Sequence, residues 1–217
     1  SLRSESPSAE SYRLIRTRIL WSASKENILK DIAVVSAGSR EGKSTVASNL
    51  AISLSQINKK VLIVDTDIRR GRLHDSYNLL NDHGLGEFLS GEASLEDIVQ
   101  QTEIPNLSVV ACGKSVIDTS QLFSSSKMQE FIRETRKKFD MVIYDTPPVI
   151  VISDTAILVP QLGGCVFTVS SGLTNARRLL KAFSIIKETS NAELIGVILN
   201  AAGLTDKQVY KNYYHKI

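Results

Sequence analysis

The chain has 217 residues, 42% of them hydrophobic, which is enough for one sizeable core and predicts a single domain over 1–217. Its 26 Lys and Arg against 23 Asp and Glu leave a net charge of +3. The basic residues are scattered, so nothing calls for nucleic acid as a partner. No run of about 20 apolar residues occurs, because Asp145, Pro147, Pro148, Asp154, Pro160 and the Gly163-Gly164 pair interrupt the most apolar stretches.

The sequence opens at Ser1 on a polar, proline-containing segment without a methionine. This suggests a cut from a longer polypeptide, and a membrane anchor could have been lost with it. Residues 9–21 have the spacing of an amphipathic helix. A β-branched run at 32–35 then predicts a strand, and it leads into Ser36-Ala37-Gly38-Ser39-Arg40-Glu41-Gly42-Lys43-Ser44-Thr45 and a helix over 44–57. Strand, glycine-containing loop and helix in that order are the context of a Walker A phosphate loop, with Ala37 at the first position of the pattern in place of glycine. In such a loop successive N–H groups of residues 38–45 face the phosphates. The lysine, here Lys43, bridges the β and γ oxygens, and the hydroxyl of Ser44 ligates Mg²⁺.

A second strand, 61–64, ends in Asp65-Thr66-Asp67-Ile68-Arg69-Arg70, with two carboxylates at the C-terminal edge, where open α/β sheets bind ligands. A strand is predicted at 107–111, a helix at 128–139, and a strand at 141–144 that ends in Asp145-Thr146-Pro147-Pro148. This last segment reads as a Walker B motif, with Asp145 at the metal directly or through water. A strand at 165–169, a helix at 175–189 and a strand at 194–199 complete an α/β alternation with a mostly parallel sheet flanked by helices. Cys112 and Cys165 lie in apolar, strand-like surroundings and read as core thiols of a reducing compartment. Tyr12, Tyr77 and Tyr144 read as packing residues. The final segment holds Tyr210, Tyr213 and Tyr214 among Lys211, Asn212, His215 and Lys216. It is too polar for a buried strand, which leaves accessible tyrosines or, at i, i+3 and i+4, one apolar stripe of a terminal helix. His74 reads as structural, His83 and His215 lack metal partners, and Mg²⁺ is the one metal proposed.

Together these motifs resemble the cytoplasmic kinase domain of the bacterial P-loop tyrosine kinases, regulators of capsule and exopolysaccharide synthesis. Their second motif reads Asp-x-Asp-x-Arg-Arg followed by a histidine, as in Asp65, Asp67, Arg69, Arg70 and His74. The resemblance continues through Gly84-Leu85, Leu89-Ser90-Gly91, Ser153-Asp154 and Gly196-Val197-Ile198-Leu199-Asn200 to the terminal tyrosines, and so covers nearly the whole chain. It implies a P-loop fold of the partitioning-ATPase type and transfer of phosphate from ATP, with Mg²⁺, to tyrosine. Lys43, Asp65 and Asp67 would be catalytic, with Asp65 as the base facing the phenol. Gly38, Ser39, Arg40, Glu41, Gly42, Lys43, Ser44, Thr45 and Asn200 would bind the nucleotide, Asn200 near adenine. Ser44, Asp67 and Asp145 would hold the metal, and Tyr210, Tyr213 and Tyr214, in the tail 205–217, would accept phosphate.

The resemblance also implies a ring-forming homo-oligomer, by analogy of eight subunits. Its contacts would involve Glu10, Arg13 and Arg16 of the N-terminal segment 1–24, and phosphate would pass between neighbours. A transmembrane activator or fused polysaccharide co-polymerase domain, a tyrosine phosphatase and a location at the inner face of the plasma membrane follow by the same analogy. The chain departs from the family at Ser39 and Arg40, where Pro-Gly is usual, and at Gly71, where proline often follows the Arg pair. A proline-rich stretch expected near 115–119 is also absent. Two rivals share the P-loop: a switch ATPase that positions cargo by nucleotide-dependent dimerisation, and a nucleotide-binding scaffold without transfer activity. Partitioning ATPases usually carry an extra lysine where this chain has Gly38, and as a rule they lack both the Arg pair and the terminal tyrosines. No Asn-Lys-x-Asp tetrad favours GTP.

Overall fold

The computed structural model describes residues 6–22, 29–114, 118–189 and 192–202. Their elements run α1 (Pro7–Ser22), β1 (Asp31–Val35), α2 (Lys43–Ser55), β2 (Val61–Asp65), α3 (Leu73–Tyr77), α4 (Leu85–Ser90), α5 (Leu95–Ile98), β3 (Val99–Gln101), β4 (Leu107–Val110) and α6 (Thr119–Phe123). The chain continues with α7 (Ser126–Lys138), β5 (Met141–Asp145), α8 (Asp154–Leu158), a 3₁₀ turn at Val159–Gln161, β6 (Gly164–Ser170), α9 (Ala176–Thr189) and β7 (Glu193–Asn200).

The strands form one sheet in the order β3-β4-β2-β5-β1-β6-β7. All neighbours are parallel except the β3–β4 pair. Each of the six parallel strands lies where the apolar runs predict it. The three-residue β3, with Gln100 and Gln101, is too short and polar to have announced itself.

Alternation of side chains along the strands sorts the core into two layers. Ile32 and Val34, Val61 and Ile63, and Ile143 face one side, under Val46, Leu50 and Leu54 of α2 and under Tyr12 and Ile19 of α1. Ala33, Val35, Leu62, Val64, Val142, Tyr144 and Phe167 face the other, under Phe88 of α4, Phe131 of α7, Leu158 of α8 and Ile186 of α9. Helices cover both faces, so β1, β2 and β5 are buried throughout and read as continuous apolar runs.

The central trio β2-β5-β1 brings three C-terminal ends side by side: Asp65 pairs in register with Asp145, and Val34 with Asp145 from the other side. The phosphate loop, the second-motif carboxylates and the Walker B carboxylate therefore share one edge. Cys112 and Cys165 are buried free thiols, and Tyr144 is fully buried.

Candidate active site

The phosphate loop is held from below and from the side. Thr146 Oγ1 donates to the Val34 carbonyl at 2.9 Å, Ser36 Oγ donates to the Gly38 carbonyl at 2.7 Å, and Val149 N donates to the Ser36 carbonyl at 3.0 Å. The loop thus rests on the segment that follows Asp145. Glu41, 2% exposed, turns its carboxylate inward. One oxygen accepts the Gly38 N–H at 2.9 Å and the other the Thr174 hydroxyl at 2.8 Å. That removes the Gly38 amide from the set of N–H groups free to face phosphates and ties the loop to the turn after β6.

Asn200, at the end of β7, donates through Nδ2 to the Glu41 carbonyl at 3.1 Å. A Cβ on Gly42, whose φ is +91°, would lie 1.9 Å from that nitrogen, so glycine is required there both by conformation and by space. In this arrangement Asn200 buttresses the loop. Arg178 of α9 leans on it as well: a Cβ on Gly38 would sit 3.0 Å from its guanidinium. Sequence reasoning offered no signal for Thr174 or Arg178, which reach the loop from more than 130 residues away.

Lys43 opens α2 and is 8% exposed. Burial pushes its ammonium below the usual lysine range, against the charges of Asp145, Glu41 and Asp67, which hold it up. Asp145 is 5% exposed and is pushed up to about 6 by burial, opposed by a hydrogen bond from Ser44 and by the charge of Lys43. Its Oδ1 is buried without a hydrogen-bond partner. The backbone carbonyl of Asp145 accepts both the N–H and the hydroxyl of Thr66, at 2.9 and 2.7 Å, which locks the end of β2 to the end of β5.

Asp65, 1% exposed, is pushed up to about 7, first by burial and then by the charge of Asp145. Two backbone hydrogen bonds oppose the rise, from Leu73 N at 2.9 Å and Asp67 N at 3.1 Å. Gly71 lies so close that a Cβ would meet the Asp65 carboxylate at 2.4 Å, which accounts for a glycine at a position where the resemblance implies proline. Asp67 accepts the Arg70 N–H at 3.0 Å and stays toward solvent. Arg69 is pinned by Thr119, whose Oγ1 lies 2.8 Å from its Nη2, and Thr119 in turn donates to Asp154 at 2.6 Å.

The geometry therefore brings Lys43, Ser44, Asp65, Asp67 and Asp145 together. It has an anion-binding end, the remaining loop amides and Lys43, and a cation-binding end, where carboxylates outnumber the one ammonium and Asp145 Oδ1 lacks a partner. An orphaned buried carboxylate oxygen beside a serine hydroxyl fits a hard divalent cation held through few protein ligands and otherwise by phosphate and water. Among the described residues no group of three or more His, Cys, Asp or Glu side chains could hold a metal unaided.

Of the remaining sequence-predicted residues, Glu10 and Arg13 form an ion pair of 2.6 Å along α1, and Arg16 donates to the Ser53 carbonyl of α2 at 2.7 Å. Tyr210, Tyr213 and Tyr214 lie outside the described residues. His74, in α3, has Nε2 at 3.2 Å from Asp75, and its Nδ1 is buried without a hydrogen-bond partner.

Residues 29–195 match the model of the AAA domain family. The tyrosine-protein kinase YwqD of Bacillus subtilis (strain 168) is 36% identical over 209 residues, which cover 96% of this chain and 87% of that protein. The tyrosine-protein kinase ptk of Acinetobacter johnsonii is 37% identical over 88% of this chain but only 26% of its own length, so the chain corresponds to most of some relatives and about a quarter of others.

Among solved structures, the chimerical protein CapA2B2 superposes with a TM-score of 0.88 at 32% identity, over 93% of this chain and 88% of that one. The septum site-determining protein MinD of Pyrococcus horikoshii, complexed with Mg-ADP, shares the fold with a TM-score of 0.67 at 22% identity, over 85% of this chain and 76% of that one. A phosphate loop, two acidic strand ends at its side and this set of relatives agree: the chain belongs to the bacterial P-loop tyrosine kinases, and it is an enzyme of the protein tyrosine kinase class.

Proposed function

We propose that the chain transfers the γ-phosphoryl group of ATP, with Mg²⁺, to tyrosines Tyr210, Tyr213 and Tyr214 of a neighbouring copy, and that this controls capsule or exopolysaccharide synthesis together with a transmembrane activator and an opposing phosphatase. The observation that carries the reading is the buried Asp65 carboxylate, in register beside Asp145, whose charge Lys43 faces.

In this mechanism the loop amides and Lys43 bind the phosphates and neutralise charge that builds on the γ oxygens, the largest contribution a protein makes to phosphoryl transfer. Ser44, Asp145 and Asp67 would hold Mg²⁺, which when bound neutralises phosphate charge and aligns the β and γ groups. The tyrosine oxygen forms its bond to phosphorus as the bond to the leaving β–γ oxygen breaks, and the phenolic proton passes to Asp65.

A carboxylate near ~4 would take that proton from a phenol near ~10 at a cost of roughly 8 kcal/mol. With Asp65 raised to about 7, the same transfer costs roughly 4 kcal/mol at about 1.36 kcal/mol per unit. Burial of Asp65 thus supports a base that accepts the proton as the phosphoryl group transfers.

Intact mass after incubation with ATP and Mg²⁺ tests the reading on wild type, Lys43→Met and the Tyr210/Tyr213/Tyr214→Phe variant. Additions of phosphate mass on wild type alone are the expected result. ATP consumption without any addition would overturn the proposal in favour of a switch ATPase. Asp65→Asn should bind nucleotide and fail to transfer.

A further inference from the structure

Arg69 and the Ser153-Asp154 pair have no part in the chemistry above, yet the fold joins them. Asp154, the first residue of α8, is a buried carboxylate, 3% exposed. Its Oδ2 accepts the Thr119 hydroxyl at 2.6 Å and its Oδ1 the Ser120 hydroxyl at 2.8 Å. A threonine hydroxyl has one proton, and Thr119 gives it to Asp154, so the lone pairs of Oγ1 are left for Arg69. They accept from Nη2 at 2.8 Å and from Nε at 3.3 Å. Asp154 Oδ2 stands 3.9 Å from Arg69 Nε, so it acts on the arginine chiefly through the threonine.

Arg69 is thereby oriented but not neutralised at close range, and its side chain remains 48% exposed. Its place in the sheet says which substrate it meets. Along the edge the order is phosphate loop after β1, Asp145 after β5 and Asp65 after β2; Arg69 follows Asp65 by four residues and reaches to Thr119 of α6, which is itself bonded to Asp154 after β5. A tyrosine whose hydroxyl meets Asp65 brings its flanking residues past the loop that carries Arg69.

We propose that Arg69 binds a carboxylate of the incoming acceptor segment, and that Asp154 and Thr119 are positioning residues that fix its guanidinium for the task. This rests on the tyrosine-kinase reading. Residues 203–217 of this chain contain one acidic side chain, Asp206, four residues before Tyr210. It is the carboxylate assigned to Arg69.

The test uses two synthetic peptides of residues 203–217, one with Asp206 and one with Asp206→Asn. Binding to the full chain with Mg-ADP is followed by fluorescence anisotropy, and phosphate transfer by steady-state kinetics with Mg-ATP. Loss of one charged hydrogen-bonded contact weakens binding roughly tenfold. Asp206→Asn in the peptide and Arg69→Gln in the protein should each have that effect, and together no more than either alone. Thr119→Val and Asp154→Asn should raise the KM for the Asp206 peptide several-fold, leave kcat and the KM for ATP within about twofold, and make the two peptides alike. Thr119→Ser, which keeps the hydroxyl, should restore the preference and guards against misfolding as the explanation.

Additive losses would overturn the assignment, as would a fall in kcat with peptide KM unchanged. Binding that follows this pattern without any transfer would sink the kinase reading while leaving the acceptor contact standing. Transfer indifferent to Asp206, Arg69 and Asp154 would do the reverse.

Discussion

Arg40 holds φ at +63°, in the left-handed region that β-carbon crowding makes costly for any residue but glycine. The family pattern has glycine at this place, and the phosphate loop keeps the same turn without it. Arg40→Gly should therefore stabilise the chain by about 1 kcal/mol, relief of strain exceeding the extra entropy of an unfolded glycine. Urea unfolding of the two proteins at one pH checks it, and a less stable variant would mean that the arginine side chain repays its strain elsewhere. Asp65 carries a second prediction. Its folded pKa, about 7, lies above the ordinary carboxylate value, so the native state binds a proton that the unfolded chain releases. The stability this contributes is full below about pH 4 and is lost as pH rises through about 7. Nucleotide-free, magnesium-free protein should thus lose stability between those limits, and Asp65→Asn should flatten the slope. A wild-type profile that rises with pH across that window would contradict the assignment. The identities of Lys43, Ser44, Asp65 and Asp145 were legible because a phosphate loop and acidic strand ends are local patterns. The inward turn of Glu41 and the support from Thr174, Arg178 and Asn200 were not, because they are contacts between segments far apart in the chain.

At the level of elements, the sheet was readable from its apolar runs because both of its faces are covered, and the exception is informative. Val99–Gln101 joins antiparallel at the edge, where three backbone pairings with β4 suffice and no hydrophobic signature is needed. Helix α7 was likewise visible in its periodicity, but its anchorage was not. Asp31, the first residue of β1 and fully buried, accepts from Arg136 Nε, from Arg136 Nη2 at 3.0 Å and from Gly163 N at 2.6 Å. The last turn of α7 is thus tied to the start of the strand that delivers the phosphate loop. Arg136→Met would leave a buried carboxylate with one backbone donor, and removing one partner of a buried pair costs about 3–5 kcal/mol. A loss of that size in unfolding free energy is expected, with Asp31→Asn/Arg136→Met recovering part of it. If the single substitution cost no more than a surface ion pair, water would have to reach Asp31.

For the whole molecule, the proposed transfer between copies needs a subunit contact, and α1 is where the sequence resemblance places it. Glu10 and Arg13 pair with each other along the helix, whereas Arg16 crosses to the Ser53 carbonyl in the last turn of α2 and so fastens α1 to the body. The two arginines should therefore separate. Arg16→Ala removes a charged hydrogen bond that holds α1 in place, so it should cost about 1.5–3 kcal/mol in the unfolding of a single subunit. Arg13→Ala removes a half-exposed i,i+3 pair, worth a few tenths of a kcal/mol. Sedimentation of the two variants beside wild type distinguishes these roles. A smaller assembly for Arg13→Ala at unchanged unfolding stability would place that arginine at a subunit contact. An assembly unchanged in the Arg13→Ala/Arg16→Ala double variant would remove α1 from the interface and leave transfer between subunits to be sought at another surface.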